Sequence, residues 1–186
     1  MTLIRKTYCW LCLLVTRPFI SDKEYNLIRD DFNAVCRLRD VEPSLSQFVN
    51  EFVKFKEFRS VVYYRLRNRF RLLPSLFFKG QTALFIFSER IEGGMIIEHG
   101  FSTVINAKSI GRNLTIYQQV TIGCSKGATP VIGDDCTICC GAKVIGGIRI
   151  GNNVVVGAGA VVVRDVPDNV TIVGNPARII KRRETQ

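Results

Sequence analysis

Aliphatic residues recur at every sixth position through the C-terminal half of the chain. The series starts at Val104, pauses for four extra residues between 122 and 132, and continues in the same register to Val162. A period of six fits neither an amphipathic helix, with its period of about 3.6, nor a two-faced strand, with its period of about 2. The members of the series are Val104, Ile110, Ile116, Ile122, Ile132, Ile138, Val144, Ile150, Val156 and Val162.

A sustained period of six is typical of hexapeptide repeats, which form a parallel β-helix whose coils stack their aliphatic side chains in one column. Each coil buries its apolar side only against its neighbours, so several coils and end caps are needed. Glycine often follows the aliphatic position, as at Gly111, Gly133 and Gly151. Glycine suits corners that need a positive φ or a close approach of the backbone. We therefore predict a β-helix in this half of the chain.

The series is irregular at its upstream end. Ile91 and Ile97 continue it, but seven residues separate Ile97 from Val104. This one-residue slip falls in IIEHGFSTVI (96–105), which contains His99, the only histidine of the chain. An irregularity in a regular stack is a place where a side chain can be redirected, so His99 is a candidate functional residue.

Helical patterns occupy the N-terminal half. Apolar residues in 20–38 have helical spacing. The pattern in 44–70 predicts a second helix, with Ser44 or Ser46 as N-cap, and Pro74 is expected to end it. The predicted fold class is α+β. Its parts are an N-terminal helical domain (1–82), a β-helix domain (83–180) and a tail (181–186).

The net charge of +10 favours anionic binding partners but does not choose among them. Residues 1–90 contain 16 basic and 9 acidic residues, so most of the excess lies there. Such a field favours a phosphorylated cofactor, a membrane surface, an acidic polymer or nucleic acid. RLRNRFR (65–71) suggests an anionic-partner binding module, but its two-residue spacing spreads the arginines over more than one helix face. A solvated or subunit-contacting helix explains it more simply, and we expect no nucleic-acid partner.

The N-terminal segment YCWLCLLV (8–15) is too short to span a membrane. It faintly resembles a signal peptide but lacks a clear small-x-small cleavage site. We interpret it as an apolar helix that docks on the body or on another subunit, and we expect a cytoplasmic protein. Membrane contact by this segment stays an open alternative without support.

Seven cysteines include two CxxC pairs, Cys9/Cys12 and Cys136/Cys139, which raise zinc and redox interpretations. A tetrahedral zinc site needs four ligands, and the two pairs lie in different contexts. Neither pair opens a helix after a strand, as thioredoxin-like redox pairs do. We predict reduced cysteines that serve as small apolar residues, and no metal.

Several stretches, together with the period of six, resemble the serine acetyltransferase group of hexapeptide acyltransferases over 88–181. They are the HG pair at 99–100, QQVTIG (118–123), CGAKVIGG (140–147), VGAGAVVVRDVP (156–167) and GNPARII (174–180). The resemblance implies a homotrimer of left-handed parallel β-helices, with acetyl-CoA as acetyl donor in a groove between two subunits. The acetyl group would pass directly from the thioester to a hydroxyl, with no acyl-enzyme, metal or permanent cofactor.

The resemblance places His99 where the family has its general base. Imidazole can accept the proton of a hydroxyl near neutral pH, which agrees with that role. Glu98 matches an acid that binds the acceptor. Asp40 and Glu42, in RDVEPS, match a second such acid more weakly.

Acetyl-CoA is expected along the later coils. Small residues would keep the groove wall low for the pantetheine arm, basic residues would meet the phosphates, and backbone N–H groups would bind the oxyanion. The candidates are Gly141, Ala142, Gly157, Ala158 and Ala160 for the arm, Lys143, Arg178, Lys181 and Arg182 for the phosphates, and Gly123 and Cys124 for the oxyanion.

Two departures weaken the resemblance near the acceptor. The loop GCSKGATP (123–130) is shorter than the family's loop and lacks its arginine and histidine, which leaves Lys126 as the only charged candidate for acceptor binding. Leu84 stands where an aspartate would orient the base, and Glu92 or Glu98 are possible substitutes. The acceptor therefore stays open between L-serine, in cysteine biosynthesis, and a sugar, in surface-polysaccharide biosynthesis. A catalytically inactive scaffold is the remaining alternative.

Overall fold

The computed structural model describes residues 6–9, 11–12, 17–66 and 72–182. The chain forms two compact units, Met1–Gln81 and Thr82–Gln186. The first unit is helical, and the second consists of short strands joined by tight corners. Residues 10 and 13–15 of the apolar N-terminal segment, and residues 67–71 of the arginine-rich stretch, lie outside the described part.

Two helices of the first unit begin with side-chain caps, and the second of these caps was predicted from the sequence. Helix α1 starts with a capping box, in which the Ser21 hydroxyl accepts from the Glu24 N–H and the Glu24 carboxylate accepts from the Ser21 N–H. Ser44, one of the two predicted caps, accepts from the Gln47 N–H at the start of α2. The helices are α1 (Asp22–Leu38), α2 (Leu45–Lys54), α3 (Lys56–Arg65) and α4 (Leu72–Ser75), with a 3-10 turn at Arg17–Phe19 and further helical residues at 6–9 and 11–12.

The prediction of one continuous helix over 44–70 is wrong, because the helix breaks at Phe55. Phe55 has an extended backbone between α2 and α3. The Arg59 guanidinium donates to the carbonyls of Phe52 and Val53 at 2.6 and 2.9 Å, and so satisfies two of the carbonyl groups at the end of α2. The break is accompanied by a contact between helices that local periodicity does not predict.

A buried ion pair connects α1 to α3. Arg65 donates two hydrogen bonds to the Asp31 carboxylate, from Nε to Oδ2 at 2.8 Å and from Nη2 to Oδ1 at 3.0 Å. The two side chains are 2% and 0% exposed. Arg65, the first arginine of the basic stretch 65–71, is therefore not available to an anionic partner.

The second unit is a parallel β-helix with three sheets. Sheet A has the order β1-β3-β6-β9-β12, sheet B β4-β7-β10, and sheet C β2-β5-β8-β11-β13-β14. The strands are β1 (Leu84–Ile86), β2 (Ile96–Ile97), β3 (Thr103–Ile105), β4 (Ser109–Ile110), β5 (Thr115–Ile116), β6 (Thr121–Gly123), β7 (Val131–Ile132), β8 (Thr137–Ile138), β9 (Lys143–Ile145), β10 (Arg149–Ile150), β11 (Val155–Val156), β12 (Val161–Val162), β13 (Val170–Val173) and β14 (Arg178–Arg182).

Three corners recur in every coil and stack into three edges of the β-helix. The histidine edge joins sheet C to sheet A and comprises 98–102, 117–119, 139–141 and 157–159. The turn 174–177, which connects β13 to β14 within sheet C, follows them at the end of the stack. The loop edge joins sheet A to sheet B and comprises 106–108, 123–130, 146–148 and 163–165. The Asx edge joins sheet B to sheet C and comprises 111–113, 133–135, 151–153 and 167–169.

The predicted aliphatic column forms the core, with one exception. Its members from Ile110 to Val162 are all buried, which confirms the period of six. Val104 is only half-buried, whereas Ile105 is 0% exposed and pairs in register with Ile122. The prediction for Val104 is wrong because two residues are inserted before β3 and one is missing after it. These changes add up to the one-residue slip seen in the sequence.

Asparagine and aspartate side chains connect the coils along the Asx edge. The side-chain oxygens of Asp134, Asn152 and Asp168 accept from backbone N–H groups of the coil below, at 2.7 to 2.8 Å. A Cβ at Gly111 or Gly133 would overlap an oxygen of this ladder. Glycine is therefore required at these two positions of the Asx edge, where the ladder oxygens approach the backbone closely.

Strand β14 ends the stack. It pairs antiparallel with β13, whereas the other strand pairs are parallel, and all five of its residues are exposed. Lys181 and Arg182, which were assigned to the tail, belong to this strand. Residues 183–186 lie outside the described part.

Ile105→Ala and Val104→Ala test the register of the first coils. We expect Ile105→Ala to lower the free energy of unfolding by about 2–5 kcal/mol, because it leaves a cavity in the core. Val104→Ala should cost clearly less, since that side chain is half-buried. Denaturant unfolding of both variants measures this, and an equal or reversed order would contradict the register.

Removing one partner of the buried ion pair should be costly. Asp31→Asn removes the carboxylate charge that pairs with the buried Arg65 guanidinium, and we expect a loss of about 3–5 kcal/mol in denaturant unfolding. The double variant Asp31→Leu/Arg65→Met should recover most of it. Asp30→Asn, which removes the neighbouring acid from a more exposed pair with Arg29, is the matched control and should stay within about 1 kcal/mol. Equal losses at positions 30 and 31 would argue against a special role of the buried pair.

Candidate active site

His99 lies in an insertion on the histidine edge. The Glu98 N–H donates to the Ile116 carbonyl, as the Tyr117 N–H does to that of Ile138. The Gln119 N–H donates to the Phe101 carbonyl, as the Gly141 N–H does to that of Gln118. Glu98 thus corresponds to Tyr117 and Phe101 to Gln118. His99 and Gly100 are the two extra residues of this corner.

The insertion is folded so that His99 faces outward. His99 is exposed and has a φ of +56°, a left-handed conformation that is uncommon for a residue with a side chain. The next residue, Gly100, is buried, and a Cβ there would lie 2.5 Å from Ile97 Cγ2 and 3.4 Å from Leu84 Cδ2. Gly100 packed against these two side chains anchors the loop that carries the imidazole.

Within the described residues, no side chain is hydrogen-bonded to the His99 imidazole. Leu84, where the family resemblance predicts an orienting aspartate, is aliphatic and close to Gly100. Glu92, one suggested substitute for that aspartate, lies between Ile91, which pairs with Ile110, and β2. This corner is on the same side of the β-helix as the Asx edge. Glu98, the other, is half-buried directly before His99. Of the two acids, only Glu98 is on the histidine edge.

The outward side chains of the histidine edge become smaller from coil to coil above His99. The successive corners read Tyr-Gln-Gln at 117–119, Cys-Cys-Gly at 139–141 and Gly-Ala-Gly at 157–159. The predicted arm-binding residues Gly141, Gly157 and Ala158 lie here. Exposed Lys143 follows, with Nζ 3.2 Å from the Gly141 carbonyl oxygen. This edge can therefore hold an extended chain along its backbone, with a basic group beside it.

Ala142 and Ala160 do not belong to the groove wall as predicted. Both side chains are 0% exposed and fill the interior of the β-helix. Their N–H groups donate to Cys139 and Gly157, and their carbonyls accept from the coils below. The left-handed residues Gly141 and Gly159 turn the chain so that the following alanine points inward. These alanines are core residues that shape the edge from inside.

Gly123, Cys124 and Lys126 lie on the loop edge, so a single copy of the chain does not bring them to His99. The loop forms a tight hairpin, in which Ser125 and Ala128 exchange two backbone hydrogen bonds of 3.0 Å. Lys126, at its tip, is exposed with a φ of +51°. The hairpin accommodates the four extra residues without disturbing the coils, since Ile122 and Val144 pair in register across it.

The remaining basic candidates are at the end of the stack. Arg178, Lys181 and Arg182 are exposed on β14. Arg178 also lines a cavity of about 200 Å³ together with Arg164 and Pro176. Arg178 is the first residue of β14 and directly follows the turn 174–177.

Asp40 and Glu42 lie in the helical unit, in the connection between α1 and α2. Both are exposed, and Asp40 has a φ of +53°. Their predicted role as acceptor-binding acids remains a prediction.

Two side chains on the histidine edge, Tyr117 and Gln118, were not predicted as site residues. They occupy the corner between His99 and Gly141, and both are half-buried. The Gln118 Oε1 atom is buried and has no hydrogen-bond partner within the described residues. Aligning YQQ with CCG and GAG by the period of six would have found this corner from the sequence.

The seven cysteines form no disulfide with one another, and most are buried. Cys136 points into the core, where burial raises the pKa of its thiol to about 11, while Cys139 of the same CxxC pair is on the histidine edge. Burial, and then the neighbouring Cys12 thiol, raise the pKa of Cys9 to about 12. No group of three or more metal-ligating side chains is found in the described part of the chain. The structure confirms that most of these cysteines serve as small apolar residues.

No helix among the described residues is both long and apolar enough to cross a membrane.

Comparison with known proteins shows what the chain is similar to. Residues 129–164 match the family model for bacterial transferase hexapeptide (six repeats). The serine acetyltransferase of Bacillus licheniformis is 31% identical over 173 residues, which cover 84% of this chain and 77% of that protein.

Two solved structures share the fold. The Neisseria gonorrhoeae serine acetyltransferase in complex with serine superposes with a TM-score of 0.69 at 27% identity, over 89% of this chain and 72% of that one. The Brucella abortus serine acetyltransferase in complex with coenzyme A gives 0.64 at 25% identity, over 95% and 73%. The left-handed form of the parallel β-helix is thereby confirmed.

Thiol alkylation should separate the cysteines by position. Near pH 8 we expect iodoacetamide to modify exposed Cys124 first and to leave Cys136 unmodified, because a thiol with a pKa of about 11 stays protonated and buried. Peptide mass spectrometry of the native protein measures the order, and Cys124→Ser should remove the fast reaction. Modification of Cys136 as fast as Cys124 would contradict the burial described here.

Proposed function

Since this chain belongs to the serine acetyltransferase family and is an O-acetyltransferase, we propose that it transfers the acetyl group of acetyl-CoA to the hydroxyl of L-serine, with His99 as general base. The observation that carries this proposal is the position of His99. The only histidine of the chain stands exposed, on a two-residue insertion, at the foot of an edge whose side chains shrink toward the other end.

The chemistry follows from that position. The imidazole accepts the hydroxyl proton while the oxygen attacks the thioester carbon, which gives a tetrahedral oxyanion. The C–S bond then breaks, the acetyl group stays on the acceptor oxygen, and the imidazolium returns its proton to the leaving thiolate. No acyl-enzyme is formed, because the acceptor itself is the nucleophile.

The proposed site is completed by a second copy of the chain. His99 and the hairpin at 123–130 lie on different edges of one β-helix, and a homotrimer would place the loop edge of one copy against the histidine edge of the next. Gly123 and Cys124 of the partner subunit would then offer backbone N–H groups to the oxyanion. Lys126 of the partner subunit would offer its ammonium group to the serine carboxylate.

Acetyl-CoA is proposed to lie along the histidine edge. Gly141, Gly157 and Ala158 leave the backbone accessible to the pantetheine arm, which matches an extended ligand of small cross-section. Lys143, Arg178, Lys181 and Arg182 are exposed cations for the phosphates. The relative crystallised with coenzyme A supports a donor of this kind.

Glu98 is the nearest acid in sequence for the serine ammonium group. It is half-buried beside His99 and has its backbone N–H fixed by the Ile116 carbonyl. The relative crystallised with serine supports an amino-acid acceptor.

A sugar hydroxyl is the second candidate acceptor, and one observation favours it. The hairpin at 123–130 contains one charged side chain, Lys126, and lacks the arginine and histidine of the family's loop. It therefore offers few partners to the carboxylate of serine. A sugar needs no such partner.

Thiol release from acetyl-CoA tests the proposal. The purified protein is assayed with L-serine and, in parallel, with free and nucleotide-linked sugars. Release with L-serine supports the proposed acceptor, and release only with a sugar moves the enzyme to polysaccharide modification. Tight acetyl-CoA binding without turnover on any of them would leave the acceptor unknown, and no binding of acetyl-CoA would favour the inactive scaffold.

His99→Asn isolates the base, because asparagine has a similar size but cannot accept the proton in the same way. We expect the turnover rate to fall by about 10²–10⁴-fold. The Kd for acetyl-CoA, measured by calorimetry, should change little. Full activity in this variant would contradict the role of His99.

A further inference from the structure

We infer that Gln118 is a cofactor-positioning residue, whose side-chain oxygen accepts a hydrogen bond from the pantetheine amide nearest the thioester of acetyl-CoA. The inference rests on the proposed function, since it takes the thioester to lie at His99. It adds a binding role for a side chain that lies in the QQVTIG stretch but to which the resemblance gave no role.

The first observation is an unsatisfied acceptor. Gln118 Oε1 is buried, yet it has no hydrogen-bond partner within the described part of the chain. The backbone of the same residue is satisfied, because its carbonyl accepts the Gly141 N–H at 3.0 Å. Buried amide oxygens are nearly always paired, and leaving one unpaired is unfavourable. The side chain therefore gains free energy when an N–H donor reaches it.

The second observation is the place of Gln118 in the stack. The hydrogen bonds between coils put Phe101, Gln118, Cys140 and Ala158 at equivalent positions of successive corners. None of these four residues is fully buried, so the position faces the outside of the histidine edge. Gln118 is one coil above the His99 insertion and one coil below Cys140. A pantetheine arm that extends from the corners with small side chains, 139–141 and 157–159, to His99 must pass Gln118.

The third step is a match of lengths. Stacked coils are about 4.8 Å apart, the usual spacing of neighbouring strands. In pantetheine, the thioester sulfur and the nearest amide nitrogen are joined through two methylene groups, which is a comparable span. With the thioester at the level of His99, that amide lies at the level of Gln118. A rotation of the Gln118 carboxamide then turns its oxygen from the protein toward the amide N–H.

Gln118→Met tests the inference because methionine keeps the size of the side chain and removes the carboxamide. We expect the Kd for acetyl-CoA to rise about three- to tenfold, the usual effect of losing one neutral hydrogen bond. The Tm of the unliganded variant should stay equal or rise, because an unsatisfied buried oxygen has been removed. A purely structural glutamine, for example one bonded to an internal water, would instead lower the Tm and leave the Kd unchanged, and that result would overturn the inference.

Gln119→Met is the matched control, one residue along at an exposed side chain. It should leave the Kd for acetyl-CoA unchanged. An equal loss in both variants would overturn the assignment to Gln118.

An acetyl-CoA analogue with that amide replaced by an ester identifies the donor. The unchanged protein should bind the analogue about three- to tenfold more weakly than acetyl-CoA, and Gln118→Met should bind the two alike. If the variant still loses affinity for the analogue, the amide has another partner and the inference is wrong. If the unchanged protein does not bind acetyl-CoA, the proposed function fails first, so the two failures are distinguishable.

Discussion

The register of hydrogen bonds between stacked coils is the constraint on which the second unit depends. Each strand donates to and accepts from the coils on either side, so strands of successive coils must meet at the same height. Extra residues can then be accommodated only at corners, where they leave the ladder. Both insertions in this chain obey that rule. The His99–Gly100 insertion and the hairpin at 123–130 leave the β-helix on different edges, and the aliphatic column continues beneath both.

The proposed chemistry uses those two departures from regularity. A strict hexapeptide stack offers a ligand short corners and flat faces, with no side chain raised above the surface. The insertion raises an imidazole on one edge and the hairpin raises an ammonium group on another. The regular corners between them and the end of the stack supply a smooth backbone wall. The aliphatic side chains of the column point inward and stabilise the β-helix, whereas the corner residues point outward and form the proposed site. Different residues of the same repeat therefore serve stability and function.

Much of the second unit could be predicted from the sequence, because its order is periodic. The burial of Ile116 and Ile138 follows directly from the period of six. Val104 could not be assigned in the same way, since an insertion of two and a deletion of one look like a slip of one. Ala142 and Ala160 were misplaced because the left-handed turn at the preceding glycine decides whether the next side chain faces in or out. In the helical unit, the break at Phe55 is accompanied by a contact from Arg59, which reaches back across a turn that periodicity does not describe.

Strand β14 determines how the stack can grow. A parallel β-helix that ended on an ordinary coil would present unpaired strand edges on which the first coil of another molecule could dock in register. Here the last strand of sheet C runs the opposite way and carries Arg178, Lys181 and Arg182 on exposed positions. Because β14 is antiparallel to β13, sheet C does not end on a strand that continues its parallel pairing. The positive charges of β14 also repel a second copy of the same strand. Along this sheet the molecule is thus protected against end-to-end polymerisation into fibres.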